Sequence, residues 1–401
     1  MNLLKLAKKI VFAVVSGIFW VFTRLIRVDD KTLIFISYLG RGYLCSPKYI
    51  HQHLLKLYPD AGFKLVWALK DPTTPVPGAE VVKYRGFKYF YYLAKSKFWV
   101  VNSKLPEYCH KKPNQIYIQT WHGTPLKQLA HDIKVKEGTT FFRTRQTREE
   151  MLKSYDTDTR RYNYFLTTGR YATDRFKSCF KLKDEVIREY GYPRNDFLVN
   201  ITLKEIEQIK DRLKIPKDKK VLLYAPTWRD NKFKASGYLF ELKADFKKWR
   251  EVLGEEWVVL FKPHYLIINK FKQPEGLEGF LYIFPEKEDI NNLYVVSDLL
   301  VTDYSSAFFD YALLHRPILF YMYDKKQYAE EIRGYYLDMD SELPGQIVED
   351  EDALLKLIKE GYAEGEENRI RVRRFAEKYC EADTGQAAQK VVENLILPHI
   401  P

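Results

Sequence analysis

The chain reads as an α/β protein of two successive Rossmann-like halves facing across a cleft, preceded by an apolar helical segment that associates with a membrane. Three observations predict this. Short strand patterns alternate with helical ones along nearly the whole length, as parallel βαβ units require. A chain of 401 residues is long enough for two domains, each with its own core. Finally, four unusual clusters fall just after strands: Trp121-His122-Gly123, Ala225-Pro226-Thr227-Trp228-Arg229-Asp230, Lys262-Pro263-His264-Tyr265 and Thr302-Asp303-Tyr304-Ser305-Ser306. In doubly wound domains those positions converge on the carboxyl edge of the sheet, the usual ligand crevice.

Taken in order, residues 1–28 form a membrane-associating segment. Lys5, Lys8 and Lys9 precede an apolar run from Ile10 to Phe22, and Arg24 and Arg27 follow it. As a helix the run reaches about 20 Å against a hydrocarbon core of about 30 Å, too short to span comfortably. Basic flanks on both sides suit a monotopic anchor on an anionic leaflet; a buried core helix, a span or a secretory signal are the competing readings.

Residues 29–196 form the first Rossmann-like domain, with strands at Leu33–Ser37, Lys64–Leu69, Glu80–Lys83, Phe98–Asn102, Gln115–Gln119 and Tyr164–Thr168, and a helix starting at Ser46-Pro47. Thr124 and Pro125 suit an N-cap and a first helical residue, so a helix is expected immediately after His122. The stretch 137–163 carries Arg143, Arg145, Arg148, Arg160 and Arg161, either a solvated face or a groove for a polyanionic acceptor or lipid phosphate. Gly191-Tyr192-Pro193-Arg194-Asn195-Asp196 punctuates the chain and sets the boundary. The second domain, 197–380, has a polar helix at Leu203–Leu213 and strands at Val221–Tyr224, Trp257–Lys262, Leu281–Phe284, Leu299–Thr302 and Ile318–Tyr321. A C-terminal helix or tail occupies 381–401.

A formal charge of +12 implies an anionic partner, whether lipid headgroups, a polyphosphate or nucleic acid. The four cysteines have neither Cys-x-x-Cys nor Cys/His ligand spacing, which fits a reducing, cytoplasmic compartment without disulfide or zinc. Phosphate-loop, zinc-protease and nucleophile-elbow motifs are missing. Gly40-x-Gly42 is only a fragment of a dinucleotide fingerprint. Asp156-x-Asp158 and Asp338-x-Asp340 follow no convincing strand, so metal binding is the minority reading.

The last of the four clusters is the most legible. Ser305 and Ser306 can cap a helix bearing Phe308, Phe309, Ala312 and Leu313, and a helix start with free N–H groups and two hydroxyls suits a diphosphate, although capping alone explains the serines. Asp303 fits a turn residue or a ligand for a hydroxyl. Lys262-Pro263-His264 offers a cation and an imidazole to a phosphate. His122 and His264, paired across the cleft, fit acid–base work. Arg229 can fork onto phosphate oxygens or pair with Asp230.

Together, Gln119-x-Trp-His-Gly-x-Pro-Leu-Lys127, Tyr224-Ala-Pro-Thr-Trp-Arg229, Lys262-Pro-His264, Asp289-Ile-Asn291, Leu293-Tyr294, Ser297-Asp298, Thr302-Asp-Tyr-Ser-Ser306, Phe309-Asp310-Tyr311 and Arg316-Pro317 resemble the CDP-glycerol glycerophosphotransferase family, the teichoic acid primases and polymerases. The resemblance runs from about Leu33 to about Lys378. It implies a GT-B fold, a peripheral enzyme at the cytoplasmic face of the cell membrane, and transfer of glycerol phosphate from CDP-glycerol with release of CMP, using neither cofactor nor metal. By the family's motifs His122 looks like the base on the acceptor hydroxyl and His264 like the residue beside the donor diphosphate. Arg229, Lys262, Thr302, Asp303, Ser305 and Ser306 would bind the donor. Gly40, Trp121, Gly123 and Lys127 would bind the acceptor. The implied partners are a lipid-linked polyprenyl-diphosphate acceptor and an anionic membrane surface, not nucleic acid. CDP-ribitol as donor, a GT-B nucleotide-sugar glycosyltransferase and a non-enzymatic polyanion binder are the alternatives, and priming, short extension and polymerisation all stay open.

Overall fold

The computed structural model describes residues 3–134, 140–141, 146–227, 233–234, 237–238, 243–263, 274–285, 287–325 and 334–400. Its first half holds β1 (Asp29–Ile36), β2 (Lys64–Leu69), β3 (Glu80–Lys83), β4 (Ser96–Val101), β5 (Ile116–Gln119), β6 (Tyr164–Leu166) and β7 (Ile187–Arg188). They lie in the order β3-β2-β1-β4-β5-β6-β7, every neighbouring pair parallel. The second half repeats the plan with β8 (Lys220–Tyr224), β9 (Trp257–Phe261), β10 (Leu281–Ile283), β11 (Leu299–Thr302), β12 (Ile318–Tyr321) and β13 (Gln346–Val348), in the order β10-β9-β8-β11-β12-β13, again all parallel. Strand order reverses between β1 and β4 and between β8 and β11. Those two switch points are where each sheet opens a crevice at its carboxyl edge.

The helices are α1 (Leu3–Leu25), α2 (Cys45–Leu57), α3 (Phe87–Lys95), α4 (Arg148–Thr159), α5 (Arg170–Phe180), α6 (Asp196–Asn200), α7 (Leu203–Leu213), α8 (Phe246–Leu253), α9 (Ile290–Val296), α10 (Ala307–Ala312), α11 (Glu351–Lys359), α12 (Glu366–Tyr379) and α13 (Ala387–Val391). They cover both faces of each sheet, which is why the strands are apolar at successive rather than alternate positions. In β1, Ile34 and Ile36 enter one core while Leu33 and Phe35 enter the core on the opposite face. In β8, Val221 and Leu223 part from Leu222 and Tyr224 in the same way. Burying each such side chain stabilises by about 1.5–3 kcal/mol, so a polar residue on either face of these strands would be costly.

The chain crosses back after the second sheet. Val391, Val392, Leu395 and Ile396 pack with Leu33, Phe35, Ile50 and Leu54 of the first half, and the Asp196 carboxylate accepts from the backbone N–H groups of Ala387 and Ala388 at 2.8 and 2.7 Å. The C-terminal segment therefore straps the two halves together.

α1 lies on α3. Phe19 meets Phe90 with ring centroids 5.3 Å apart, Phe22 meets Phe87 at 5.8 Å, and Ser16 Oγ is 2.8 Å from His110 Nε2. Only part of the helix is used in this way. Ile10, Val11, Val14, Val15, Ile18, Val21 and Leu25 stay exposed, and among the described residues no helix is long and apolar enough to cross a membrane.

Two expectations change. No helix follows His122: residues 124–129 run irregularly, because Leu126 to Gln128 pair with a strand-like segment of the second half. Gln128 N–H donates to the Gly334 carbonyl and Tyr336 N–H to the Leu126 carbonyl, both at 2.9 Å, around a bridge between Lys127 and Tyr335. Tertiary pairing overrides the local capping signal. The arginine-rich stretch is not a uniform basic face either, since Arg161 turns inward to the buried Asp158 and to the carbonyls of Leu105 and Pro106 at 3.0 and 3.1 Å. Arg160 is exposed, Arg148 is half-buried, and Arg143 and Arg145 lie outside the described residues.

Candidate functional site

The two carboxyl edges face one another across a cavity of about 360 Å³. From the first half it is lined by the turn after β1 (Tyr38, Arg41), the start of α2 (Leu44, Cys45), His122 after β5, and Arg194. From the second half come Ala225, Pro226 and Thr227 after β8, Lys262 and Pro263 after β9, Asp289 and Ile290 at α9, and Ser305 to Ala307 and Asp310 around α10. Most of these contributions follow a strand end or start a helix, as the doubly wound plan dictates; Arg194, and Asp310 and Tyr294 inside α10 and α9, are the exceptions.

His122 is placed by its neighbours. Trp121 adopts a left-handed conformation (φ +50°), which turns the chain out of β5, and its backbone N–H donates to Gln119 Oε1 at 3.0 Å. The buried indole packs against Phe165, Phe176 and Phe180 and stacks under the imidazole with centroids 4.6 Å apart. His122 Nδ1 lies 2.6 Å from the Asn102 carbonyl. A carbonyl only accepts, so Nδ1 carries the proton and, in the neutral ring, Nε2 keeps its lone pair. Protein crowds the ring, yet the side chain keeps solvent exposure on the cleft side. Burial, opposed by the Asn102 carbonyl and aided by the Arg194 charge, pulls its pKa from the ordinary 6.5 to about 4. At neutral pH the ring is an uncharged acceptor.

Gly123 brings the halves into contact: a Cβ on it would sit 2.8 Å from Ser306 Oγ. The imidazole turn of one half and the serine turn of the other are therefore neighbours. Ser305 Oγ accepts from the Ala307 N–H at 3.2 Å at the start of α10.

The other expected donor residues divide. The Lys262 ammonium lines the cavity while donating to the carbonyls of Pro285 and, at 3.0 Å, Glu288. Thr302 and Asp303 are buried beneath the lining. The Thr302 hydroxyl donates to the Ala225 carbonyl at 2.8 Å, and the Asp303 carboxylate accepts from the N–H groups of Thr227 and Tyr304, each at 2.7 Å. Their side chains shape the turn that presents Ser305 and Ser306. Of the expected acceptor residues, Gly123 sits at the cleft and Trp121 under it. Gly40 (φ +82°) is packed on Tyr84, which a Cβ would approach to 2.8 Å, and Lys127 is in the bridge to Tyr335; neither lines the cavity. Arg229 and His264 lie outside the described residues.

Sequence reasoning missed the ion pair on the cavity wall. Arg194 donates to Asp310 through Nη2 at 2.8 and 3.0 Å and through Nε at 3.1 Å, with the residues 5% and 7% exposed. Burial opposes the Arg194 charge, but Asp310, Cys45 and Tyr38 outweigh it, so the guanidinium stays protonated. A charged residue amid Phe308, Phe309 and Tyr311 was the available signal for Asp310; Arg194 was hidden in a stretch that reads as a linker. Lys48 Nζ donates to Asp289 at 2.7 Å, adding a second charged tie across the cleft.

A family model described as CDP-Glycerol:Poly(glycerophosphate) glycerophosphotransferase matches residues 18–397. A teichoic acid poly(glycerol phosphate) polymerase of Staphylococcus epidermidis is 39% identical over 91% of this chain and 50% of its own length. A teichoic acid glycerol-phosphate transferase of Staphylococcus aureus is 35% identical over 94% of this chain and 96% of its own. Among solved structures, the wall teichoic acid polymerase TagF, in a variant soaked with CDPG, has a TM-score of 0.88 and 37% identity over 99% of this chain and 96% of that one. The chain spans about half the length of the polymerases from S. epidermidis and Bacillus subtilis that it matches. With the two-sheet plan above, these likenesses make the fold GT-B.

Proposed function

The chain belongs to the CDP-glycerol:poly(glycerophosphate) glycerophosphotransferase family, and from that premise we propose that it moves glycerol phosphate from CDP-glycerol to a hydroxyl of a lipid-linked acceptor in teichoic acid biosynthesis, releasing CMP. The observation that carries this reading is the meeting of a neutral imidazole with the Ser305–Ser306 turn at one cavity. In the proposed step Nε2 of His122 takes the proton of the acceptor hydroxyl as its oxygen attacks the β-phosphorus. The new P–O bond forms, the bridging P–O bond to the α-phosphate breaks, and CMP departs. Positioning and charge stabilisation supply the rest of the acceleration. Ser305, Ser306 and Lys262 supply donors to the diphosphate, with Arg229 and His264 joining them from their motifs.

A donor panel tests the reading. With a lipid-linked acceptor, CDP-glycerol is expected to yield CMP and a product longer by glycerol phosphate units. CDP-ribitol and nucleotide sugars are expected to be poor donors, since the ribitol-phosphate polymerases matched are less similar, at 27–32% identity. Turnover of CDP-ribitol alone, or of a nucleotide sugar, would replace the donor in this proposal.

We place the enzyme on the cytoplasmic face of the membrane, held by the exposed apolar side chains of α1 together with anionic headgroups. Deleting residues 1–28 is expected to release the protein from vesicles containing phosphatidylglycerol while CMP release with a water-soluble acceptor analogue continues. Binding equal to that of the full chain would move the anchor elsewhere.

A further inference from the structure

The carbonyl that meets the His122 ring belongs to a buried residue outside every motif singled out in the sequence. Asn102 directly follows β4, between β1 and β5, and is fully buried. Its backbone and side chain are committed in several directions. Its N–H donates to the Ile36 carbonyl at 3.3 Å. Its Oδ1 accepts from the Tyr38 N–H at 2.7 Å and from the Ser103 hydroxyl at 3.0 Å. Its Nδ2 donates to Ser37 Oγ at 3.2 Å, and its carbonyl accepts from His122 Nδ1 at 2.6 Å.

These bonds have a common result. The side chain ties the end of β4 to the end of β1, which fixes where the Asn102 carbonyl points. That carbonyl fixes the imidazole ring and its tautomer. The same side chain holds Tyr38 by its N–H, in a left-handed turn (φ +46°), and the Tyr38 ring meets the imidazole edge-on at 5.8 Å and 66°. Two of the surfaces that confine His122, the carbonyl and the Tyr38 ring, are thus set by a single amide, while Trp121 supplies a third. Buried hydrogen-bonded groups that orient a reactive imidazole act on geometry, and small misplacements of a reacting group are expensive in rate.

We propose that Asn102 is a positioning residue: its side chain clamps the ends of β1 and β4 so that its own carbonyl holds His122 in the Nδ1-protonated tautomer, with the Nε2 lone pair available to the acceptor hydroxyl. The proposal rests on the reading of His122 as the base. It adds that the base works only in the orientation this clamp imposes.

The test compares Asn102→Ala, Ser37→Ala and His122→Ala in the full chain, with CDP-glycerol and a lipid-linked acceptor. Asn102→Ala is expected to lower kcat about 100-fold and to leave KM for CDP-glycerol within about twofold, the pattern of an interaction lost from the reacting configuration rather than from donor binding. In protein carrying isotope-labelled histidine, the His122 ring nitrogens should lose the signature of a fixed Nδ1–H tautomer, which a purely structural role would not alter. Asn102→Asp keeps the oxygen that the Tyr38 N–H needs and is expected to recover at least a tenth of the lost rate. Wild-type kcat in Asn102→Ala, or an unchanged tautomer signature, would overturn the proposal. Should that variant not fold, Ser37→Ala decides: removing one hydrogen bond of the clamp is expected to lower kcat about threefold, and an unchanged kcat counts against it. Full CMP release by His122→Ala would instead defeat the assignment of the base, while the tautomer measurement would still report on the clamp.

Discussion

Replacing His122 by alanine is expected to lower CMP release by about 10²–10⁴-fold, the contribution typical of a positioned acid–base group, and to leave the protein folded. The ring is well placed to carry such an effect. It keeps solvent exposure on the cleft side, its Nδ1 proton is committed to a carbonyl, and its pKa of about 4 leaves Nε2 unprotonated at neutral pH. The pH dependence follows with its sign. In the free enzyme kcat/KM is expected to be insensitive to this group above about pH 5, and to fall as pH drops through about 4, where the ring gains a proton. Because the folded pKa lies below the ordinary 6.5, the unfolded chain binds this proton first. The group's contribution to stability is therefore complete above about 6.5 and is lost as pH falls towards 4. His264→Ala, measured beside it, tests the second histidine on the same scale. Full CMP release in either variant removes that residue from the mechanism, and unchanged acid behaviour in His122→Ala assigns the limb to another group.

Apart from the short edge strands β7 and β13, the strands of both halves were legible because parallel sheets covered on two faces need uninterrupted apolar runs, and short runs of that kind bounded by turn residues are the mark of a buried strand. Leu299–Thr302 is both expected and observed as a strand. The positions of His122, Lys262, Ser305 and Ser306 followed from the same logic, since a residue just beyond a strand in this topology is delivered to the cleft. What was illegible is nonlocal. Thr124-Pro125 carries a helix-start signal, but the backbone of Leu126 and Gln128 is paired with residues some two hundred positions later. Thr302 and Asp303 have the chemistry of ligands, and only the structure shows that the ends of β8 and β11 consume it. Asn102 read only as the end of a strand, because its bonds reach the end of β1 and the turn after β5, which no local pattern reveals.

The Arg194–Asp310 pair leads to the largest expected effect on stability. Arg194→Ala leaves Asp310 in an enclosed site where Asn195 Nδ2, at 3.2 Å, still donates to it but no cation faces it as the guanidinium did. Asp383 is close enough to feel the change: burial holds its carboxyl well above the ordinary range, Asp310 adds to that rise, and Arg194 opposes it. Removing the guanidinium therefore exposes two buried carboxyl groups to each other. Breaking one side of a buried pair costs about 3–5 kcal/mol, because the surviving charge keeps its desolvation penalty without its partner. Asp310→Ala should cost a similar amount by stranding the guanidinium. The double replacement by apolar residues, Arg194→Met with Asp310→Leu, is expected to cost less than either single change, since no charge is then left buried alone. Urea unfolding of the four proteins measures this. The effect should also reach across the cleft, because the Arg194 carbonyl accepts from Asn291 Nδ2 at 2.6 Å and so links the segment between the halves to α9 as well as α10. A loss below about 1 kcal/mol in both single variants, or a double variant as damaged as their sum, would mean that the pair is solvated in solution and that the strap formed by the C-terminal segment holds the halves together without it.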